Sequence, residues 1–300
     1  MTTCAMARSD DVRRTTGWFA LYAGACAVVF LSPLHDLIRL SLSSEAYSHI
    51  LAIPIISAAL VYAERDAIFR EIGGAPMSKA LGLVLFLLAG LFGALTVWLS
   101  ASVSGHASLR LSIVGFLILV GSGFRWLYGS HAFRAALFPL LFLLLMLPPP
   151  ASLFDRVIVW LQWGSADVTN WIFHLTATPV VREGLIFDLP GVSIEVTREC
   201  SGIRSSIALG IICLAGSYLF LTRSWVRAAF LLAVVPVAML KNGIRIVSLS
   251  LLAIHVDPGF LVGRLHQQGG VVFFAVGLVV LTCVLRGLQR FERWRFANGH

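Results

Sequence analysis

The sequence predicts an all-α polytopic membrane protein with about eight transmembrane helices. An outward-facing amphipathic helix and a small β-hairpin precede the sixth. Three observations predict this class. Hydrophobic residues make up 58% of the 300-residue chain and charged residues 13%, about half the charged share of a soluble domain. So little polar surface cannot cover a water-facing globule. Apolar runs of spanning length recur along the chain. The arginines between those runs are unevenly divided between the two sides.

The runs fall at 17–33, 46–63, 80–99, 109–127, 132–149, 200–222, 226–254 and 267–286. Pro33, Pro54 and Pro148 make the first, second and fifth the weakest. The first run lacks a small-residue cleavage site and reads as an anchor. With eight spans both termini share one side. That side holds Arg8, Arg13, Arg14, Arg65, Arg70, Lys79, Arg125, Arg134, Arg223, Arg227, Arg286, Arg290, Arg293 and Arg295. The other side holds only Arg39, Arg110, Arg156, Arg182, Arg198 and Arg264. The positive-inside rule therefore puts both termini in the cytoplasm. The chain divides into a cytoplasmic leader (1–16), helices one to five (17–149), an extracytoplasmic segment (150–199), helices six to eight (200–286) and a basic cytoplasmic tail (287–300). The net charge of +8 does not point to nucleic acid, because the arginines are scattered through short loops. Lipid is the expected surrounding.

Segment 150–199 begins where Pro148-Pro149-Pro150 stops a helix. Phe154, Val157, Ile158, Leu161, Val168, Trp171, Ile172 and Leu175 then recur at helical spacing. Asp155, Arg156, Gln162, Asp167 and Asn170 fall opposite them. With Trp160, Trp163 and Trp171 this reads as a helix lying in the membrane interface. In GLIFDLPGVSIEVT, a turn at Pro190-Gly191 sets Leu189 against Val192, Phe187 against Ile194 and Leu185 against Val196, all on one face. Asp188, Ser193, Glu195 and Thr197 fall on the other. Pro190 cannot take the positive φ of the common two-residue hairpin turns. The hairpin leads directly to Cys200.

Of the five cysteines, Cys26, Cys213 and Cys283 lie in apolar runs and read as small buried hydrophobes. Cys4 lies in the polar leader, which is expected to be disordered. No spacing suggests a metal site or a disulfide framework, and no cofactor is implied. Cys200 differs, because TRECSGIR puts it at the outer mouth of the sixth span. A helix N-terminus lowers a thiol pKa. Arg204 is one turn on and adds to this, whereas Glu199 opposes it. The alternative is an ordinary helix start with Ser201 as N-cap.

Two further features lie downstream. Lys241, Asn242 and Arg245 interrupt the apolar seventh span, with Lys241 and Arg245 one turn apart. A guanidinium inside a span is costly unless paired or hydrated, so these are functional candidates. A structural arginine bonded to a neighbouring helix is the alternative. His266, in GRLHQQGG at the outer start of the eighth span, can carry a proton near neutral pH. It can also be an ordinary interfacial histidine. A thiol, a base and a cation on one side make a nucleophilic acyl-transfer site.

The segments ECSGIRS, NGIRI and the one around His266 resemble the three catalytic motifs of the exosortase/archaeosortase family. AYSHI near 46–50, FPLLFLLLMLPPP near 138–150 and VREG…LPG before the cysteine resemble it too. The resemblance spans roughly 45–275. It implies eight transmembrane helices and a membrane cysteine transpeptidase. The implied substrates are exported proteins ending in a short motif (typically Pro-Glu-Pro), a membrane helix and a basic tail. Cleavage through a thioester would precede transfer to a surface acceptor that the sequence does not identify. Cys200 would be the nucleophile, with Arg245 and His266 as partners and Arg204, Asn242 and Lys241 in support. His266 stands where the archaeal branch carries arginine, which implies a bacterial inner-membrane enzyme. Competing readings are a purely hydrolytic membrane cysteine protease and a non-enzymatic component of polysaccharide export. A transporter would favour charges repeated in both halves, and Lys241 and Arg245 have no counterpart in the first half.

Overall fold

The computed structural model describes residues 2–70, 79–100, 105–198, 201–261 and 270–297. The chain divides into two compact units, Met1–Pro150 and Ala151–His300. Among the described residues, five helices are long and apolar enough to cross a bilayer. Two further helix pairs qualify only when each is counted as one span, giving seven at most. The protein is a multi-pass, mainly helical membrane protein.

In the first unit, α1 (Thr2–Val29) takes in the leader and Cys4, whose backbone is helical where disorder was expected. The chain bends by 81° into α2 (Leu31–Ser43), so the first predicted span is broken. Pro33 explains the break. Its missing N–H would interrupt the α1 ladder but is harmless in the first turn of α2. A 3-10 turn (Glu45–Leu51) enters α3 (Ala52–Ala63), and α4 (Arg65–Ile68) is a single turn. The third and fourth predicted spans fall on α5 (Lys79–Ser100) and α6 (His106–Ala135), of which α6 is among the five. Tyr22 donates to Leu119 O at 2.9 Å, joining α1 to α6. The fifth predicted span is not one helix. Inside it α6 ends at Ala135, and α7 covers only Leu137–Phe142. A 3-10 turn (Leu143–Met146) follows before the three prolines. Ser57 on α3 donates to Pro139 O at 2.7 Å, satisfying a carbonyl inside this irregular stretch.

The second unit begins with α8 (Ala151–Leu175). Strands β1 (Val181–Glu183), β2 (Ile186–Leu189) and β3 (Val192–Glu195) then form an antiparallel meander. Leu189 pairs with Val192 and Phe187 with Ile194, as the alternation predicted. Val196 N donates to Leu185 O at 2.9 Å and extends that register. Gly191 alone takes the positive φ of the turn, at +82°, so Pro190 stays in its preferred region. The additional strand β1 is three residues long and shows no alternation from which it could have been read. Phe187, Leu189 and Val196 are buried against Ala166 and Phe173 of α8 and Val247 further on.

On α8 the packed side is Ile158, Leu161, Gln162, Ser165, Ala166, Thr169 and Phe173. Gln162 was expected on the opposite side. It is buried because its amide donates to Val196 O at 2.9 Å, taking up a carbonyl at the end of the meander. Trp160, Trp163 and Trp171 are exposed. Two ion pairs pin the hairpin region to α8, Arg182 with Asp167 at 2.8 Å and Arg198 with Asp155.

Three helices complete the unit: α9 (Ile203–Phe220), α10 (Ser224–His255) and α11 (Gly270–Ala297). Leu209, Cys213, Phe230, Val237 and Leu281 form their common core. Cys26 and Cys213 are buried as expected, but Cys283 is exposed. It sits on the outward side of α11, where an apolar side chain meets lipid at no penalty.

Candidate active site

The chain enters α9 through a left-handed glycine. Gly202 is the N-cap, at φ +66° and ψ +19°. The expected cap, Ser201, lies one residue earlier and is buried. Its hydroxyl accepts from Ile203 N at 3.4 Å. The helix therefore starts at Ile203, three residues later than the predicted span, because only Gly202 can take the positive φ this entry needs. Gly202 O is heavily used. It accepts from Ser206 N at 2.9 Å, and from the hydroxyls of Ser205 at 3.0 Å and Ser206 at 2.8 Å.

The middle of α10 closes on this turn. Lys241 and Asn242 are 3% and 1% exposed. Lys241 Nζ donates to Ser205 Oγ, so a chain of hydrogen bonds runs from the ammonium through Ser205 to Gly202 O. A Cβ on Gly202 would lie 2.8 Å from Asn242 Oδ1 and 3.4 Å from Lys241 Nζ. Glycine is thus required here for space as well as for backbone conformation.

Two more close approaches fix α10. A Cβ on Gly243 would lie 2.7 Å from Val168 Cγ1 of α8. A Cβ on Gly277 of α11 would lie 3.3 Å from Lys241 Cδ and 3.1 Å from Leu209 Cδ1. Small residues let these backbones come close, as membrane helices require. The aliphatic stem of Lys241 is therefore packed by α9 and α11 while its ammonium emerges at Ser205.

Lys241 level with Ser205, Leu209 level with Gly277, and Gln289 donating to Phe220 O at 3.3 Å make α9 and α11 parallel, with α10 antiparallel. The starts of α9 and α11 and the end of α10 thus share one end of the unit. Half-buried Arg245 lies one turn beyond Lys241, nearer that end of α10. At the opposite end the Glu292 carboxylate accepts from Arg223 N at 3.0 Å and Thr222 N at 3.5 Å.

Of the predicted site residues, Lys241 and Asn242 meet the Gly202 turn. Arg204 is in the first turn of α9 and exposed. Cys200 and His266 lie outside the described residues. Sequence reasoning missed Gly202 and Ser205 as parts of the site. Nor did it single out Ser165 on α8, which is 1% exposed and whose hydroxyl has no hydrogen-bond partner among the described residues. The available signal was the small polar spacing Gln162, Ser165, Thr169, opposite the three tryptophans.

The family model described as transmembrane exosortase matches residues 41–283. The chain belongs to the transmembrane exosortase family. The match covers most of both units and includes every residue named in the site. No curated protein and no solved structure shows significant similarity to the chain.

Proposed function

We propose that this exosortase is a membrane cysteine transpeptidase acting on the C-terminal sorting signals of exported proteins. In this reading the Cys200 thiolate attacks the carbonyl carbon of the scissile peptide bond in a Pro-Glu-Pro type motif. Arg245 holds the developing oxyanion. The C–N bond breaks, and the amine of the tail fragment leaves with a proton delivered by His266. The acyl group stays on sulfur as a thioester. A nucleophile on a surface acceptor then attacks that carbonyl, loses its proton to His266, and releases the thiolate.

The observation that carries the reading is the turn at Gly202. Two peptide units reach at most about 7 Å, so whatever fixes Gly202 limits where the thiol can go. Lys241, Asn242 and Ser205 fix it. A buried ammonium and a buried amide inside a spanning helix are costly ornaments for a purely structural protein. Here they converge on the backbone beside the one cysteine that resembles the family's nucleophile. The excess of basic residues on one side supports cytoplasmic termini in a bacterial inner membrane, with the site facing outward.

The test is processing of a tail-bearing substrate in membranes. Cys200→Ala should leave the protein inserted and stop processing, and normal processing in that variant excludes the cysteine mechanism. The fate of the product separates transfer from hydrolysis. A product carrying added acceptor mass supports transfer, and a free carboxylate supports the hydrolytic protease.

A further inference from the structure

The first unit holds an open cavity of about 960 Å³ that the proposed reaction does not use. Its walls come from α2 and the first turns of α6. The helix α2 has three distinct sides. Leu37 and Ser41 are buried in the unit. Leu31, Ile38 and Leu42 are 65%, 44% and 74% exposed. Asp36, Arg39 and Ser43 line the cavity. The helix α2 leaves α1 at 81°, the bend of a broken or re-entrant span. An exposed aliphatic side belongs among acyl chains and the polar side at headgroup level.

Across the cavity α6 supplies His106, Ser108 and Ser112. Ser112 is 2% exposed and reaches the cavity from the floor of that wall. Asp36 and Arg39 are one helical turn apart on the same wall. Among the described residues they form no ion pair with each other or with a third group. The cavity thus presents a cation, an anion and hydroxyls beside an apolar rim. Opposite charges held apart in one cavity suit a ligand carrying both.

We propose that this cavity binds the headgroup of a zwitterionic phospholipid. The phosphate sits on Arg39 and the Ser112 hydroxyl, the ammonium on Asp36, and the acyl chains run along Leu31, Ile38 and Leu42. This does not depend on the transfer reaction, and either can fail alone.

Native mass spectrometry of the full chain in detergent tests it, with phosphatidylethanolamine, phosphatidylglycerol and diacylglycerol of matched chains as probes. Wild type should retain phosphatidylethanolamine under activation that strips the other two. Arg39→Gln should lower that retention about tenfold or more, the scale of a lost charge-assisted hydrogen bond. Asp36→Asn should bring phosphatidylethanolamine down to the level of phosphatidylglycerol. Equal retention of all three lipids by wild type overturns the proposal without reference to any variant. So does unchanged retention in both variants. Binding of free phosphoethanolamine as tight as that of the lipid would assign the cavity to a soluble ligand and also overturn it.

Discussion

Replacing Gly202 by alanine would set a methyl group 2.8 Å from Asn242 Oδ1 and force a side chain into φ +66°. The backbone term alone is about 1–2 kcal/mol. Gly202→Ala should therefore lower tail processing by about tenfold or more, measured as mature product per unit of inserted protein. Unchanged processing would mean that the turn does not set the thiol. Lys241→Met separates positioning from stability. Its aliphatic stem still fills the space against Gly277, while the buried charge and the bond to Ser205 are lost. Removing a buried charge is often neutral or stabilising. The thermal midpoint in detergent should hold or rise while processing falls, and a parallel loss of both would indicate a structural role only. Arg245→Lys keeps the charge but loses the planar fork, so it should be strongly impaired. Wild-type rates there would argue against oxyanion binding. Among the histidines, the His255 ring bonds Leu251 O at 3.0 Å and is exposed. His255→Ala should be nearly silent while His266→Ala slows thioester formation. The reverse result would remove His266 from the mechanism.

At the scale of elements, the meander and α8 act as one block beneath the entry to α9. Phe187 is fully buried between α8 and the sheet. Phe187→Ala should cost about 3–5 kcal/mol, seen as protease sensitivity of residues 176–198 in otherwise inserted protein. Intact resistance would mean that the sheet is held from elsewhere. By contrast the Asp155–Arg198 pair is exposed, and pairs of that kind contribute about 0–1 kcal/mol. Much of this block was legible in the chain. The alternation from Leu185 to Val196 gave the β2–β3 register because a strand's period of two admits one answer when one face is apolar. The helix 151–175 was legible too, but its packed side was not. Hydrophobicity says little about a helix that meets lipid on one side and polar partners on the other. Gln162 was read as outward for that reason, and the tryptophans were the better guide.

For the whole molecule, composition settled the solvent and the motifs settled the family. The number of crossings was less legible. Runs at 17–33 and 132–149 have the apolar content of spans, but the first breaks at Phe30 ahead of Pro33 and the second at Ala136 and Leu143 ahead of the three prolines from Pro148, and only geometry shows where. Of the candidate site, Lys241 and Asn242 at the Gly202 turn were legible as residue types, while Cys200 and His266 lie outside the described residues. Its scaffold was not, because Gly202 and Ser205 matter through contacts with a helix far along the chain. The proposed orientation rests on the arginine distribution. Reporter fusions should place Asn170 outside the cytoplasm and Ser130 and Arg295 within it, and a cytoplasmic Asn170 would reverse the assigned face. The central claim, a thioester on Cys200, is tested most directly by intact mass. Membranes containing the full chain and a tail-bearing substrate, quenched in acid before the acceptor is added, should yield enzyme heavier by the cleaved N-terminal fragment less one water. Hydroxylamine should release that adduct, and Cys200→Ala should lack it. Cleavage without any such adduct, or an adduct that persists in Cys200→Ala, would contradict the account.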